Sequence, residues 1–294
     1  MAVGIYKRTS PQVTRTRLHV LKEKQTMNLS AKIDLSIQVI KKGLAIGKGC
    51  LLFSGGKDST VLKHLMQTID KNILIMFNDT TLCHANYVKD IKEFLKNDNY
   101  IITRPEEDPV TMWRKRNNYP ILSKQGHSRY KKKYPDLKIS PVQCCYNLKE
   151  KPANKILKKE NIQCVFWGIK CVDSMRRKFL FVDSGYLFKP KKYPWYQCYP
   201  LLHWKNEDIK IYLRKHIPGY NIDAIYEKGC MCCGTDIKFY PNNLKRLYDT
   251  DKKKWLYYMR CGMGEQILKA NGIPGNKLEK ILNEKPEILL QVLT

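Results

Sequence analysis

Three groups of residues in this chain have the types and spacing that do chemistry. The first is the hexapeptide Ser54-Gly55-Gly56-Lys57-Asp58-Ser59. It follows a short apolar run, Cys50-Leu51-Leu52-Phe53, and precedes Thr60–Ile69, whose apolar spacing predicts a helix. A strand, a glycine turn and a helix in that order build an anion site. Two glycines let the backbone turn tightly and approach a ligand without a Cβ. The exposed N–H groups and the helix N-terminus favour negative charge. Ser54 and Ser59 add hydroxyl donors and Lys57 adds charge. The G-x-x-x-x-G-K spacing of a Walker loop is absent.

The second group is the cysteines, eleven in all. Cys144 and Cys145 are adjacent, and Cys230 and Cys233 form a C-x-x-C pair with Cys232 inside it. In a chain expected in a reducing compartment, metal binding or thiol chemistry is the better default than a disulfide framework. Four thiolates suit zinc or an iron–sulfur cluster. Neighbouring side chains diverge, so adjacent cysteines seldom share one zinc ion, whereas a cubane offers separate iron atoms. Cys50, Cys83, Cys164 and Cys171 sit in apolar contexts and read as small core residues.

The third group is the basic excess. Lys and Arg number 54 against 27 Asp and Glu, a net charge of +27. Such a balance favours anionic partners, either nucleic acid or a highly charged nucleotide. The basic residues are spread along the chain rather than blocked in one tail, which also fits ordinary solvated lysines. No apolar run reaches the ~18 residues of a membrane helix. Residues 1–26 have no apolar signal core. The expected location is the cytoplasm, with no membrane partner.

The elements that must position these groups alternate in type. Helical spacing over 28–47, strands at 50–53, 72–78, 100–103 and 164–168, and helices over 60–69, 86–96 and 206–215 argue for βαβ units. The expected fold is α/β: a doubly wound, mostly parallel sheet with flanking helices and a helical C-terminal extension. Residues 1–27 read as a basic, weakly structured arm, 28–240 as the nucleotide-binding domain, and 241–294 as a helical segment carrying Cys261. Residues 111–136, basic and aromatic with little periodicity, read as an inserted loop or lid.

The complete Ser54–Ser59 motif in this setting resembles the phosphate loop of the PP-loop adenine-nucleotide superfamily. Asp79 and Thr80, at the end of the second strand, resemble its Asp-Thr segment beside the nucleotide. Cys144-Cys145, followed 85 positions after Cys145 by Cys230-x-x-Cys233, resembles the signature of the iron–sulfur adenylylsulfate (APS) and phosphoadenylylsulfate (PAPS) reductases. Lys149 and Pro152 fall in register with that family. Gly168 through Arg177 and Pro200–Trp204 are similar to its later segments. Met259–Gly264 holds a late Cys-Gly pair, with Arg260 where the family has Glu and no His following.

The resemblance implies a PP-loop sulfonucleotide reductase of sulfate assimilation, covering about residues 28–265. PAPS or APS would be reduced to sulfite, with release of an adenosine nucleotide, through an S-sulfonate on Cys261. A thioredoxin-like dithiol would be the donor. Cys144, Cys145, Cys230 and Cys233 would hold a 4Fe-4S cluster. Lys149, Lys170, Arg176 and Arg177 would bind substrate with the loop, Asp79 and Thr80. Positive charge at Arg260 would lower the Cys261 thiol pKa, and Gly262 would let the segment bend. An alternative is an ATP-using PP-loop enzyme of DNA phosphorothioation or tRNA thiolation, favoured by the charge and the basic arm. A third is a nucleotide-binding regulator without catalysis. Self-association into a homo-oligomer and contact with nucleic acid stay open.

Overall fold

The computed structural model describes residues 11–83, 85–116, 119, 144–220, 230, 243–270 and 272–290. Five apolar segments make the sheet's interior. β1 (Gly49–Phe53), β2 (Leu74–Asn78), β3 (Tyr100–Thr103), β4 (Cys164–Trp167) and β6 (Tyr196–Cys198) run parallel, and β5 (Leu187–Phe188) pairs antiparallel with β6 at the edge. The spatial order is β3-β2-β1-β4-β6-β5. The chain therefore reverses direction across the sheet between β1 and β4, and loops leaving these two strands flank one crevice.

Helices cover both faces because these strands are apolar on both. One face packs α2 (Leu29–Leu44), α3 (Lys57–Gln67), α4 (Ala85–Leu95) and α8 (Asn206–His216) around Leu51, Phe53, Ile75 and Phe166. The other packs α6 (Lys151–Lys159) and Trp195 around Cys50, Leu74, Met76 and Val165. Asn28 caps α2, its side chain accepting the Ala31 N–H at 2.9 Å. Expected and observed elements agree here to within a few residues. The alternating pattern thus yields the doubly wound α/β sheet expected from the sequence.

Two regions differ from the sequence expectation. The N-terminal arm contains a helix, α1 (Pro11–Thr26), packed on α7 (Met175–Ser184). Its Leu21 is buried, Arg17 donates to the Val182 carbonyl, and Lys24 lies 4.8 Å from the Tyr186 ring. Charge hid a short apolar stripe that docking alone makes useful. The stretch read as a lid from residue 111 begins inside α5 (Pro109–Arg116), whose Met112 and Trp113 are buried. Residues 120–136 lie outside the described residues, as do 1–10. The C-terminal helices α9 (Asn243–Thr250), α10 (Lys252–Tyr258), α11 (Gly264–Ala270), α12 (Leu278–Glu284) and α13 (Glu287–Leu290) form the expected helical extension. Their core is continuous with Trp113, Cys144, Leu148 and Cys230.

Candidate functional site

The phosphate loop leaves β1 and enters α3 through Gly55, at φ +67, and Gly56, the residue before the helix. A Cβ on Gly55 would stand 2.1 Å from Ile91 Cδ1 and 2.8 Å from the Tyr87 hydroxyl, so only glycine fits. The loop is tied internally. Ser59 Oγ donates to the Gly56 carbonyl at 2.9 Å and accepts the Ser54 N–H at 3.3 Å. It is tied externally by Tyr87, whose hydroxyl donates to the Ser54 carbonyl, and by Tyr220, 3.4 Å from the Gly55 carbonyl.

Charge in the loop is paired. Lys57 Nζ lies 3.0 Å from Asp58 Oδ1. Lys170, just beyond β4, is fully buried, with Nζ 2.6 Å from Asp58 Oδ2 and 3.1 Å from Asp173 Oδ1. Arg177 pairs with Asp173 as well. Arg176 occupies the first turn of α7. The basic segment after β4 thus meets the loop, but through Asp58 and Asp173.

At the tip of β2, Asp79 is buried and accepts from Arg104 Nε at 2.9 Å and from the Thr81 N–H at 2.9 Å. Thr80 is buried beside it. Its hydroxyl stands 3.2 Å from Cys230 Sγ and 3.5 Å from Cys83 Sγ. Burial pushes the Cys230 thiol up to about 11, with the Lys149 charge pulling the other way. Burial likewise raises Cys83, opposed by the Thr80 hydroxyl and Lys149. Lys149 lies in a π-helical turn, Tyr146–Glu150, that follows the cysteine pair.

Cys144 is buried and its sulfur accepts the Trp113 indole N–H at 3.3 Å; Cys145 is half-buried. Among the described residues no cysteine forms a disulfide. Among the described residues no three His, Cys, Asp or Glu side chains converge on a single-ion position. Cys232 and Cys233 lie outside the described residues. The described donors fit a cluster in their chemistry. An indole N–H and a hydroxyl are aimed at sulfurs, and a lysine charge acts on Cys230. Contacts of this kind would stabilise thiolates if they held a cluster. Cys83, read as a core residue, is buried, yet it borders the same hydroxyl.

Cys261 lies in the turn Met259–Met263, between α10 and α11. It is 3% exposed, inside the core that also contains Cys144 and Cys230. Its thiol donates to the Tyr258 carbonyl at 2.9 Å, and its own carbonyl accepts from Tyr119 at 2.9 Å and Arg114 at 3.2 Å. Burial raises the thiol pKa, so at neutral pH it is protonated. Arg260 does not supply the expected charge: its guanidinium makes two contacts to Glu279, at 3.1 and 3.0 Å. Arg114 is the positive group that acts on this thiol. Gly262 breaks the helical path at φ +112, against the Tyr119 hydroxyl.

Tyr87, Arg104, Trp113 and Asp173 were not singled out from the sequence. Asp173 could have been found, since it stands three and four positions from Lys170 and Arg177. Tyr87, Arg104 and Trp113 carry no local signal.

The fold and site define an α/β domain with a phosphate loop at the sheet's switch point and a thiol-rich flank against it. Residues 48–241 match the phosphoadenosine phosphosulfate reductase domain, and the chain belongs to that family. No curated protein matches the chain. Among solved structures, it is similar to a phosphoadenylyl-sulfate reductase from Candida auris in a phosphate complex. The identity is 13%, the TM-score is 0.43, and the alignment covers 72% of this chain and 89% of that one. No described helix is long and apolar enough to cross a membrane.

Proposed function

We propose that this chain reduces a sulfonucleotide, PAPS or APS, to sulfite. The observation that carries the reading is the contact between the two halves of the site. Thr80, at the strand end beside the phosphate loop, touches Cys230 of the thiol-rich flank. Family membership over residues 48–241 supports the reaction class. The Ser54–Ser59 loop would take the phosphate end of the substrate, with the half-buried Lys57 as counter-charge.

The reaction needs a cysteine thiolate that attacks the sulfate sulfur. The bond from sulfur to the bridging oxygen breaks, and AMP or its 3′-phosphorylated form leaves with that electron pair. The cysteine then carries an S-sulfonate. A thioredoxin-like dithiol attacks the cysteine sulfur, sulfite leaves, and the dithiol closes to a disulfide, supplying two electrons to the sulfur. Cys261 is the candidate nucleophile by its Cys-Gly segment. To react it must first break its contact with the Tyr258 carbonyl and leave the core.

Cys144, Cys145, Cys230 and Cys233 would hold a 4Fe-4S cluster. Bound there, it would supply positive electrostatic potential beside the sulfate. Trp113, Thr80 and Lys149 would orient and stabilise the thiolates that held it.

The test is incubation with APS and, separately, PAPS, followed by sulfite measurement and mass mapping of S-sulfonates. Adduct on Cys261 with sulfite release on adding a dithiol supports the reading. No adduct and no sulfite from either nucleotide would reject it.

A second reading is an ATP-using enzyme that modifies nucleic acid. The burial and protonation of Cys261 and the +27 net charge favour it. It predicts DNA or tRNA binding that weakens steeply with salt, together with ATP turnover.

A further inference from the structure

We propose that Lys170 is a positioning residue that acts through Asp58, holding the phosphate loop in shape and freeing Lys57 for the incoming anion. This rests on the Ser54–Ser59 loop being the anion site. Lys170 is fully buried, so its ammonium is not presented to a ligand. A buried ammonium persists only where counter-charges surround it. Here they are two carboxylates, Asp58 at 2.6 Å and Asp173 at 3.1 Å. The first belongs to the loop and the second to the segment after β4.

The backbones are equally close. A Cβ on Gly168 would lie 3.0 Å from both the Asp58 carbonyl carbon and the Ser59 nitrogen. The end of β4 is therefore built against the first turn of α3, and the Lys170–Asp58 pair locks that contact.

Asp58 is held by two lysines. Lys57 reaches both of its oxygens, Oδ1 at 3.0 Å and Oδ2 at 3.2 Å, and Lys170 takes Oδ2 more closely, at 2.6 Å. The Lys57 side chain is 30% exposed and that of Lys170 is wholly buried. When an anion arrives, Lys57 can swing to it while Lys170 keeps Asp58 neutralised. Without Lys170, Lys57 would be the only cation left on Asp58 and would be held back from the ligand.

The test is a double-mutant cycle on the full chain, with Lys170→Met, Asp58→Asn and the double variant. Two quantities are read: AMP affinity by titration calorimetry, and hydrogen exchange of the 54–60 amides in ligand-free protein. In the wild-type background, Lys170→Met should weaken AMP at least tenfold and speed loop exchange. In the Asp58→Asn background the same change should alter either quantity less than twofold. Equal losses of affinity in both backgrounds, or lost affinity with unchanged loop exchange, would show direct ligand contact and overturn the proposal. If the methionine variant does not fold, Lys170→Arg serves. It should keep loop exchange within twofold of wild type, and a tenfold affinity loss beside normal exchange would again overturn it. If wild-type protein does not bind AMP, the exchange cycle alone decides the role of Lys170, and the functional reading fails separately.

Discussion

The Thr80 hydroxyl stands 3.2 Å from the Cys230 sulfur, across 150 positions of chain. The same hydroxyl stands 3.5 Å from Cys83. The strand end beside the phosphate loop and the cysteine-rich flank therefore share one polar atom. Thr80→Val keeps the side-chain shape and deletes that atom, at a cost of about 1–2 kcal/mol for the lost contact. On the proposed cluster reading, anaerobically purified Thr80→Val should hold less iron than wild type, and the visible absorbance of its remaining cluster should shift. Thr80→Ser should behave as wild type. Identical iron content and spectra for Val and wild type would show that the hydroxyl plays no part.

Gly55→Ala tests the loop's geometry. The added carbon would meet Ile91 at 2.1 Å, on a backbone at φ +67. The expected loss is about 1–3 kcal/mol in urea unfolding, from overpacking and left-handed strain together. AMP binding should fall as well, because relief of the clash must move the loop. A variant as stable as wild type would mean that α4 yields at no cost.

The thiols should differ in reactivity. Cys145 is half-buried, whereas Cys261 is buried, donates to the Tyr258 carbonyl and has its pKa raised by burial. In metal-free protein at pH 8, iodoacetamide should label Cys145 at least ~10-fold faster than Cys261, since only exposed thiolate reacts. Peptide mass mapping over time reads this. Faster labelling of Cys261 would place it in an open conformation that the structure does not show.

Stability should fall in mild acid through His203. This residue is fully buried, and burial lowers its pKa to about 4 from the ordinary 6.5. Between those values the unfolded chain takes up the proton and the folded chain does not. The contribution is therefore fully present above pH 6.5 and is lost as pH drops toward 4, by at most about 2–3 kcal/mol. His203→Gln should flatten the pH dependence of unfolding over that range. An unchanged slope would assign the acid sensitivity to other groups.

The arrangement of β1 to β4 and their helices was legible because their apolar periods are local. Cys50–Phe53 and Leu74–Phe77 are continuous apolar runs, buried but for the half-buried Leu52, and α2 and α8 carry caps and spacing of their own. The Ser54–Ser59 loop was legible for the same reason: its chemistry is contiguous. The helix α1 was not, since its basic sequence has little apolar face until Leu21 meets the core that includes Phe181 of α7.

The sequence by itself determined which residues could form an anion loop and which thiols were numerous enough for a metal centre. Tertiary structure alone decided how they are used. It turned Lys170 inward to two carboxylates, set Arg104 on Asp79, and placed Thr80 against Cys230. It also buried Cys261 and gave Arg260 to Glu279. The reason is that these pairings join residues far apart in the chain or facing away from their neighbours. A side chain's charge and chemistry are written locally, but its direction, burial and partner are fixed only when the elements pack.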